Sequence, residues 1–154
     1  MGAQRALGRG PRSAHALDPD LVGLVDRLTR RLRTARRVCR TVTLRLRFDD
    51  FSRATRSYTL PYSTANTRTI LDTARALLSV AEPMIERRGI TLVGISVANL
   101  DSGRSLQLVL PFGGRSDALD DALDEVRRRF GTDAIVRAVL LGRRPGIAMP
   151  LLPD

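Results

Sequence analysis

The sequence predicts an α+β fold: a four-stranded, mostly antiparallel sheet with two helices on one face, followed by a C-terminal helical extension. Three observations carry this. Residues 41–60, TVTLRLRFDDFSRATRSYTL, read as a β-hairpin. Two segments with apolar residues at three- and four-residue spacing flank that hairpin, as helices that cover a sheet do. A third β-type run, ITLVGISVANL at 90–100, then returns the chain to the sheet.

Taken in order, residues 2–7 form a short first strand before the break at Gly8-Arg9-Gly10-Pro11. Asp18-Pro19 starts a helix, with Asp18 as the cap and Pro19 in the first helical position. Leu21, Leu24, Val25, Leu28 and Leu32 give it an apolar stripe to about Arg36. In the hairpin, Val42, Leu44, Leu46 and Phe48 alternate with Thr41, Thr43, Arg45 and Arg47. One face thus belongs to a core and the other to hydroxyls and guanidiniums. After Asp49-Asp50, the run from Arg53 to Leu60 carries Thr55, Ser57 and Thr59 at alternate positions. A second helix begins near Asn66 or Thr67 and buries Ile70, Leu71, Ala74, Leu77, Leu78 and Ala81; Pro83 ends or kinks it, and Gly89 closes the turn. On the last strand Val93, Ile95 and Val97 face one way, and the small Gly94, Ser96 and Ala98 the other. Residues 106–112, LQLVLPF, are extended in character. Residues 117–130 form an amphipathic helix, acidic at its start and basic at its end as the helix dipole favours. Residues 134–141 form a strand or a packed tail, and the Pro-rich end is loose.

Composition narrows the function classes. With 154 residues, 43% of them hydrophobic, one compact domain with a modest core is expected. No run approaches the ~18 apolar residues that read as a membrane span, and the N-terminus lacks a signal-peptide stretch, so a cytoplasmic protein is expected. Cys39 and His15 are each alone, which leaves no cysteine-based or histidine-based metal cluster. No metal and no cofactor are expected.

The net charge is +10, and every basic residue is arginine. Eleven arginines stand against two acids between Arg27 and Arg56. A guanidinium matches phosphate oxygens with a planar fork of donors, and a basic cluster is the electrostatic footprint of a nucleic-acid binder. Two plainer readings stand beside this. A GC-rich genome gives the same lysine deficit. Arg30, Arg31, Arg33, Arg36 and Arg37 also sit where a helix ends and oppose its dipole. The hairpin itself suits an ordinary solvated sheet face as well as a surface that grips a phosphate backbone.

Several blocks, GAQRAL, RTVTLRLRFDDFSRATRSYTLP, ITLVGISVANL and QLVLPF, occur in an order that resembles the C-terminal little finger domain of Y-family DNA polymerases. The nearest likeness is to the actinobacterial type of DNA polymerase IV, over roughly residues 1–141. The resemblance implies a sheet that lies against the DNA major groove and holds the duplex by its backbone. It places Thr41, Thr43, Arg45 and Arg47 on the phosphate-facing strand, with Arg53, Thr55, Arg56, Ser57 and Thr59 on its neighbour. Ser96 falls where some relatives carry a basic residue, which weakens that contact. By parity Arg56 belongs with Ala54 and Tyr58, at an edge rather than mid-face. Residues 107–112 resemble the peptide by which bacterial polymerases attach to the sliding clamp. Gln107 would hydrogen-bond in one pocket, while Leu108, Leu110 and Phe112 supply the apolar contacts. The plainer reading of that segment is one more core strand.

The implied organisation is a little-finger DNA-binding domain at 1–100, a clamp-binding linker at 101–114, and a helix and tail at 115–154. Expected partners are duplex, primer-template or damaged DNA, the sliding clamp and a polymerase catalytic core, with the chain itself a monomer. The carboxylates that converge on two metal ions for nucleotidyl transfer are missing. Asp49-Asp50 reads as a turn, and Asp120, Asp121, Asp124 and Glu125 as solvated acids on a helix. The chain is therefore not expected to be an enzyme by itself. A stand-alone clamp-binding competitor is the alternative. A ribosome-associated or RNA-binding domain is disfavoured, because few aromatics are expected at the surface to stack bases.

Overall fold

A computed structural model describes residues 1–8, 13–102 and 114–142. The chain runs β1 (Gly2–Ala6), α1 (Asp18–Thr34), β2 (Arg37–Arg47), β3 (Arg53–Thr64), α2 (Thr67–Arg88), β4 (Leu92–Ser102) and α3 (Gly114–Phe130), with short 3-10 turns at His15–Leu17 and Ala138–Leu140. The four strands form one antiparallel sheet in the order β1-β4-β2-β3. The α+β architecture expected from the sequence is the architecture observed.

Both helices cover the same face of the sheet. α1 packs on α2 and on β1, β2 and β4, and α2 reaches β2 and β3. The apolar stripes close a single core. Leu21, Leu24, Val25, Leu28 and Leu32 of α1 and Ile70, Leu71, Ala74, Leu78, Ala81 and Ile85 of α2 meet Val42, Leu44, Leu46, Val93, Ile95 and Val97 of the sheet. Phe48 is fully buried beyond the end of β2, with the Arg88 guanidinium 5.2 Å from its ring centroid.

Several local expectations need correction. Asp18 is inside α1 and makes no side-chain cap; Leu17 precedes it. Its carboxylate instead receives two bonds from Arg75 of α2 (2.7 and 2.9 Å), which hold it below the usual carboxylate range. Pro83 does not end α2, which continues to Arg88 so that Ala81 and Ile85, one turn apart, both reach the core. Gly89 ends it, at φ +63 and ψ 170, where a Cβ would overlap the Asp49 carboxylate. β4 begins at Leu92 rather than at Ile90, and α1 stops at Thr34 rather than Arg36. Of the two readings of 134–141 the packed tail is the one found: Leu140 lies against the core, where Gly23 of α1 lets it approach to 3.6 Å from the position of a Cβ.

The largest correction concerns the acids of α3, which are not all solvated. Asp117, Asp120, Asp124 and Arg127 recur at the three- and four-residue spacings of one helical face, and that face docks on the helix layer. Asp117 accepts from the Asn66 amide (2.6 Å), and Asp120 from the Thr67 backbone N–H (2.7 Å) and from Arg33 (3.2 Å). Arg33 also forks onto both oxygens of Asp124 (2.6 and 3.2 Å). Arg127 pairs with Asp26 of α1 (3.0 Å). Asp120 and Arg127 are buried, whereas the apolar Leu119 and Phe130 of the same helix stay exposed. Local sequence could not show this, because each acid's partner lies far along the chain.

Candidate nucleic-acid interface

β2, one of the two inner strands, organises the uncovered face. Antiparallel neighbours directly opposite each other share a face. Thr41 stands opposite Thr59 of β3 and Ala98 of β4, and Thr43 opposite Ser57 and Ser96. Arg45 stands opposite Thr55 and Gly94, and Arg47 opposite Arg53 and Leu92. Register thus gathers Thr41, Thr43, Arg45, Arg47, Arg53, Thr55, Ser57, Thr59 and Ser96 onto one surface. Arg56 pairs with Leu44 and so belongs to the helix side, as parity predicts; it is exposed because β3 is an edge strand.

The hydroxyls are tied across the strands. Thr43 and Ser57 lie 2.9 Å apart, Thr41 and Thr59 3.3 Å apart, and the Asn99 amide donates to Thr41 (2.8 Å). Asn99 has a positive φ (+51), opposite the point where β2 and β3 slip register between Cys39 and Thr41. There the alternation fails, and Cys39 turns into the core, where burial pushes its thiol up to about 11. Gly94 keeps the β1 side low: a Cβ there would sit 3.1 Å from the Gln4 Cβ.

Among the described residues, the charges on this face have no carboxylate partner. Arg45 and Arg53 are exposed and form no ion pair among the described residues. Arg47 sets its guanidinium 5.2 Å from the Phe51 ring centroid, and its Nε is buried without a hydrogen-bond partner. No carboxylate occupies the paired positions of these rows. Asp50, in the hairpin turn, is engaged by Ser52 and by Arg88 (2.9 Å), and the Ser52 bonds hold it below its usual range. A flat surface of unpaired guanidiniums and hydroxyls presents donors to an extended anion, not a cavity to a small molecule. No group of three His, Cys, Asp or Glu side chains among the described residues could hold a metal ion. No helix among them is long and apolar enough to cross a membrane.

Surface aromatics are a feature that sequence reasoning missed. Phe51, Tyr58 and Tyr62 are 61%, 53% and 64% exposed, against the expectation that few aromatics would be. The signal was available in part, since parity puts Tyr58 on the same side as Arg56, which the sequence places at an edge; that β3 is the outermost strand comes from the sheet order. Gln107, Leu108, Leu110 and Phe112 lie outside the described residues.

The family model for the impB/mucB/samB family C-terminal domain matches residues 1–110. The chain belongs to that family. It is a little finger domain of the Y-family polymerase type. DNA polymerase IV 2 of Mesorhizobium japonicum is 38% identical over 148 residues, covering 87% of this chain and 36% of that protein. DNA polymerase IV of Clostridium acetobutylicum is 32% identical over 79% of this chain and 31% of its own length. The chain therefore spans about a third of the length of these polymerases. Among solved structures, the little finger domain of PolIV in complex with the beta-clamp processivity factor matches at 26% identity and TM-score 0.51, over 71% of this chain and 96% of that one. The insertion ternary complex of Dbh DNA polymerase shares the fold at TM-score 0.55 and 14% identity, over 64% of this little finger and 27% of that chain.

Proposed function

We propose that this little finger grips the sugar-phosphate backbone of DNA in a polymerase IV-like translesion enzyme and tethers it to the sliding clamp, without catalytic residues of its own. The observation that carries the reading is the register. It assembles Arg45, Arg47 and Arg53 with two rows of hydroxyls on a face whose paired strand positions carry no carboxylate. Backbone-facing groups of this kind position a duplex and read little sequence. The likeness to DNA polymerase IV relatives supports the same reading. The nearer assignment, to the actinobacterial type of polymerase IV, belongs to the same proposal, as do the boundaries 1–100, 101–114 and 115–154.

The test is binding of labelled duplex and primer-template DNA across a salt series. With about four to six phosphate contacts, affinity falls roughly 100- to 1000-fold between ~50 and ~200 mM salt, with little change between sequences. A flat salt response, or strong preference for one sequence, would sink the reading.

Clamp attachment through 107–112 rests on the sequence and on the likeness to a PolIV little finger solved with a clamp. Titration of a bacterial sliding clamp with wild-type protein and with Gln107, Leu110 and Phe112 all changed to alanine checks it. Loss of two apolar anchors abolishes a micromolar interaction, at about 2–4 kcal/mol. Equal binding by the two proteins, both folded by circular dichroism, would remove the clamp from the proposal.

A further inference from the structure

The outer edge of the sheet carries a second arrangement that the duplex-facing rows leave unused. β3 is an edge strand from Arg53 to Thr64, and on the side away from those rows it bears Arg56 and Tyr58, opposite Leu44 and Val42. Both are exposed although their parity points them toward the helix layer. Beyond Tyr58, β3 carries extra residues where its register with β2 shifts, and Tyr62 stands exposed there. Arg40 of β2 reaches into this irregularity, its Nε donating to the Leu60 carbonyl (3.0 Å) between the two tyrosines. Along the edge the order is thus Arg56, Tyr58, Arg40 at Leu60, and Tyr62. Neither arginine has a carboxylate partner among the described residues; Arg56 bonds only the Thr55 carbonyl. Pro61 lacks a backbone donor, which suits an edge that does not pair with a further strand.

Cations alternating with exposed aromatic rings are what unpaired nucleic acid requires. Each base offers a π-face to stack on, and each phosphate needs a cation within reach. A duplex hides its base faces and cannot use Tyr58 or Tyr62 in this way. We infer that the Arg56–Tyr58–Arg40–Tyr62 edge of β3 binds single-stranded DNA, two stacked bases across roughly 13 Å of strand. The edge is continuous with the duplex-facing rows, because Arg53, Thr55, Ser57 and Thr59 alternate with these residues along the same strand. One domain can therefore hold paired and unpaired DNA side by side. This rests on the DNA-binding reading proposed above, and its test is separable from that reading.

The chain contains two tyrosines and no tryptophan, so intrinsic tyrosine fluorescence reports on this edge alone. Oligothymidylate titrated into the wild-type protein quenches that emission by more than half, whereas blunt duplex quenches it little. Tyr58→Ala with Tyr62→Ala weakens oligothymidylate binding at least tenfold, followed by anisotropy of a labelled strand, and leaves duplex affinity within about twofold. Tyr58→Phe with Tyr62→Phe keeps both affinities, because the ring faces remain. Undiminished emission with oligothymidylate, in protein that still binds duplex in a salt-dependent way, overturns the inference and leaves the proposed function standing. Equal losses for single strand and duplex in the alanine variant overturn it as well. Loss of duplex binding by the wild-type protein would instead overturn the parent reading.

Discussion

Changing Arg45, Arg47 and Arg53 together to alanine lowers duplex affinity about 500-fold at ~0.1 M salt and flattens the salt slope by nearly three units. Each phosphate neutralised by a guanidinium releases close to one condensed counterion, so each contact adds about 0.9 to the slope of log affinity against log salt. The loss therefore shrinks as salt rises and is almost gone near ~1 M, a dependence that a folding defect would not mimic. The variant is expected to fold. Arg45 and Arg53 are exposed without ion-pair partners among the described residues, and such surface changes usually alter stability by less than ~0.5 kcal/mol. Arg47 contributes one contact with the Phe51 ring, so its single variant belongs in the series. An unchanged slope in the triple variant would move the DNA face elsewhere, to the exposed Arg36 and Arg37 among other candidates.

This face was readable in the sequence because it depends on parity, which is local. Thr41, Thr43, Arg45 and Arg47 had to share a side whatever the strands' neighbours were. Strand order is not local, and it decides which positions the helices leave uncovered. Placing β3 outermost exposes Arg56 and Tyr58 on a side that the pattern alone assigns to the core. Periodicity likewise found α1, α2 and α3 but misjudged their ends. Pro83 forfeits one backbone bond in α2, yet the helix runs on because Ile85 gains burial beyond it. Asp120 and Asp124 of α3 were legible as helix residues and misread as solvated, whereas Asp121 and Glu125 are exposed as read. What decides the fate of the first two is an arginine and a backbone donor some 50 to 90 residues away in the chain.

That misreading leads to the second large effect, a loss of about 3 kcal/mol in Asp120→Ala. The Asp120 carboxylate is 4% exposed and accepts from the Thr67 backbone N–H at the start of α2 and from Arg33. Removing it strips α2 of a cap contributed by another helix, worth about 1 kcal/mol by itself. It also takes one of two carboxylates from an Arg33 guanidinium that is largely out of water. Breaking a buried pair costs about 3–5 kcal/mol when the remaining charge has no other partner. Here the cost is at the low end, because Arg33 keeps Asp124 and the Ala65 carbonyl. Asp120→Asn should lose about half as much, since its amide oxygen can still accept from Thr67 while the charge is gone. Asp121→Ala on the exposed side of the same helix should stay within ~0.5 kcal/mol. Urea denaturation of the three variants measures the order, at low and at high salt. Salt should change it little, because a buried pair is poorly screened. Their DNA affinity should match the wild type at every salt concentration, since Asp120 lies on the helix side of the sheet. If Asp120→Ala and Asp121→Ala unfold at the same urea concentration, the charged face of α3 does not dock on α1 and α2 in solution.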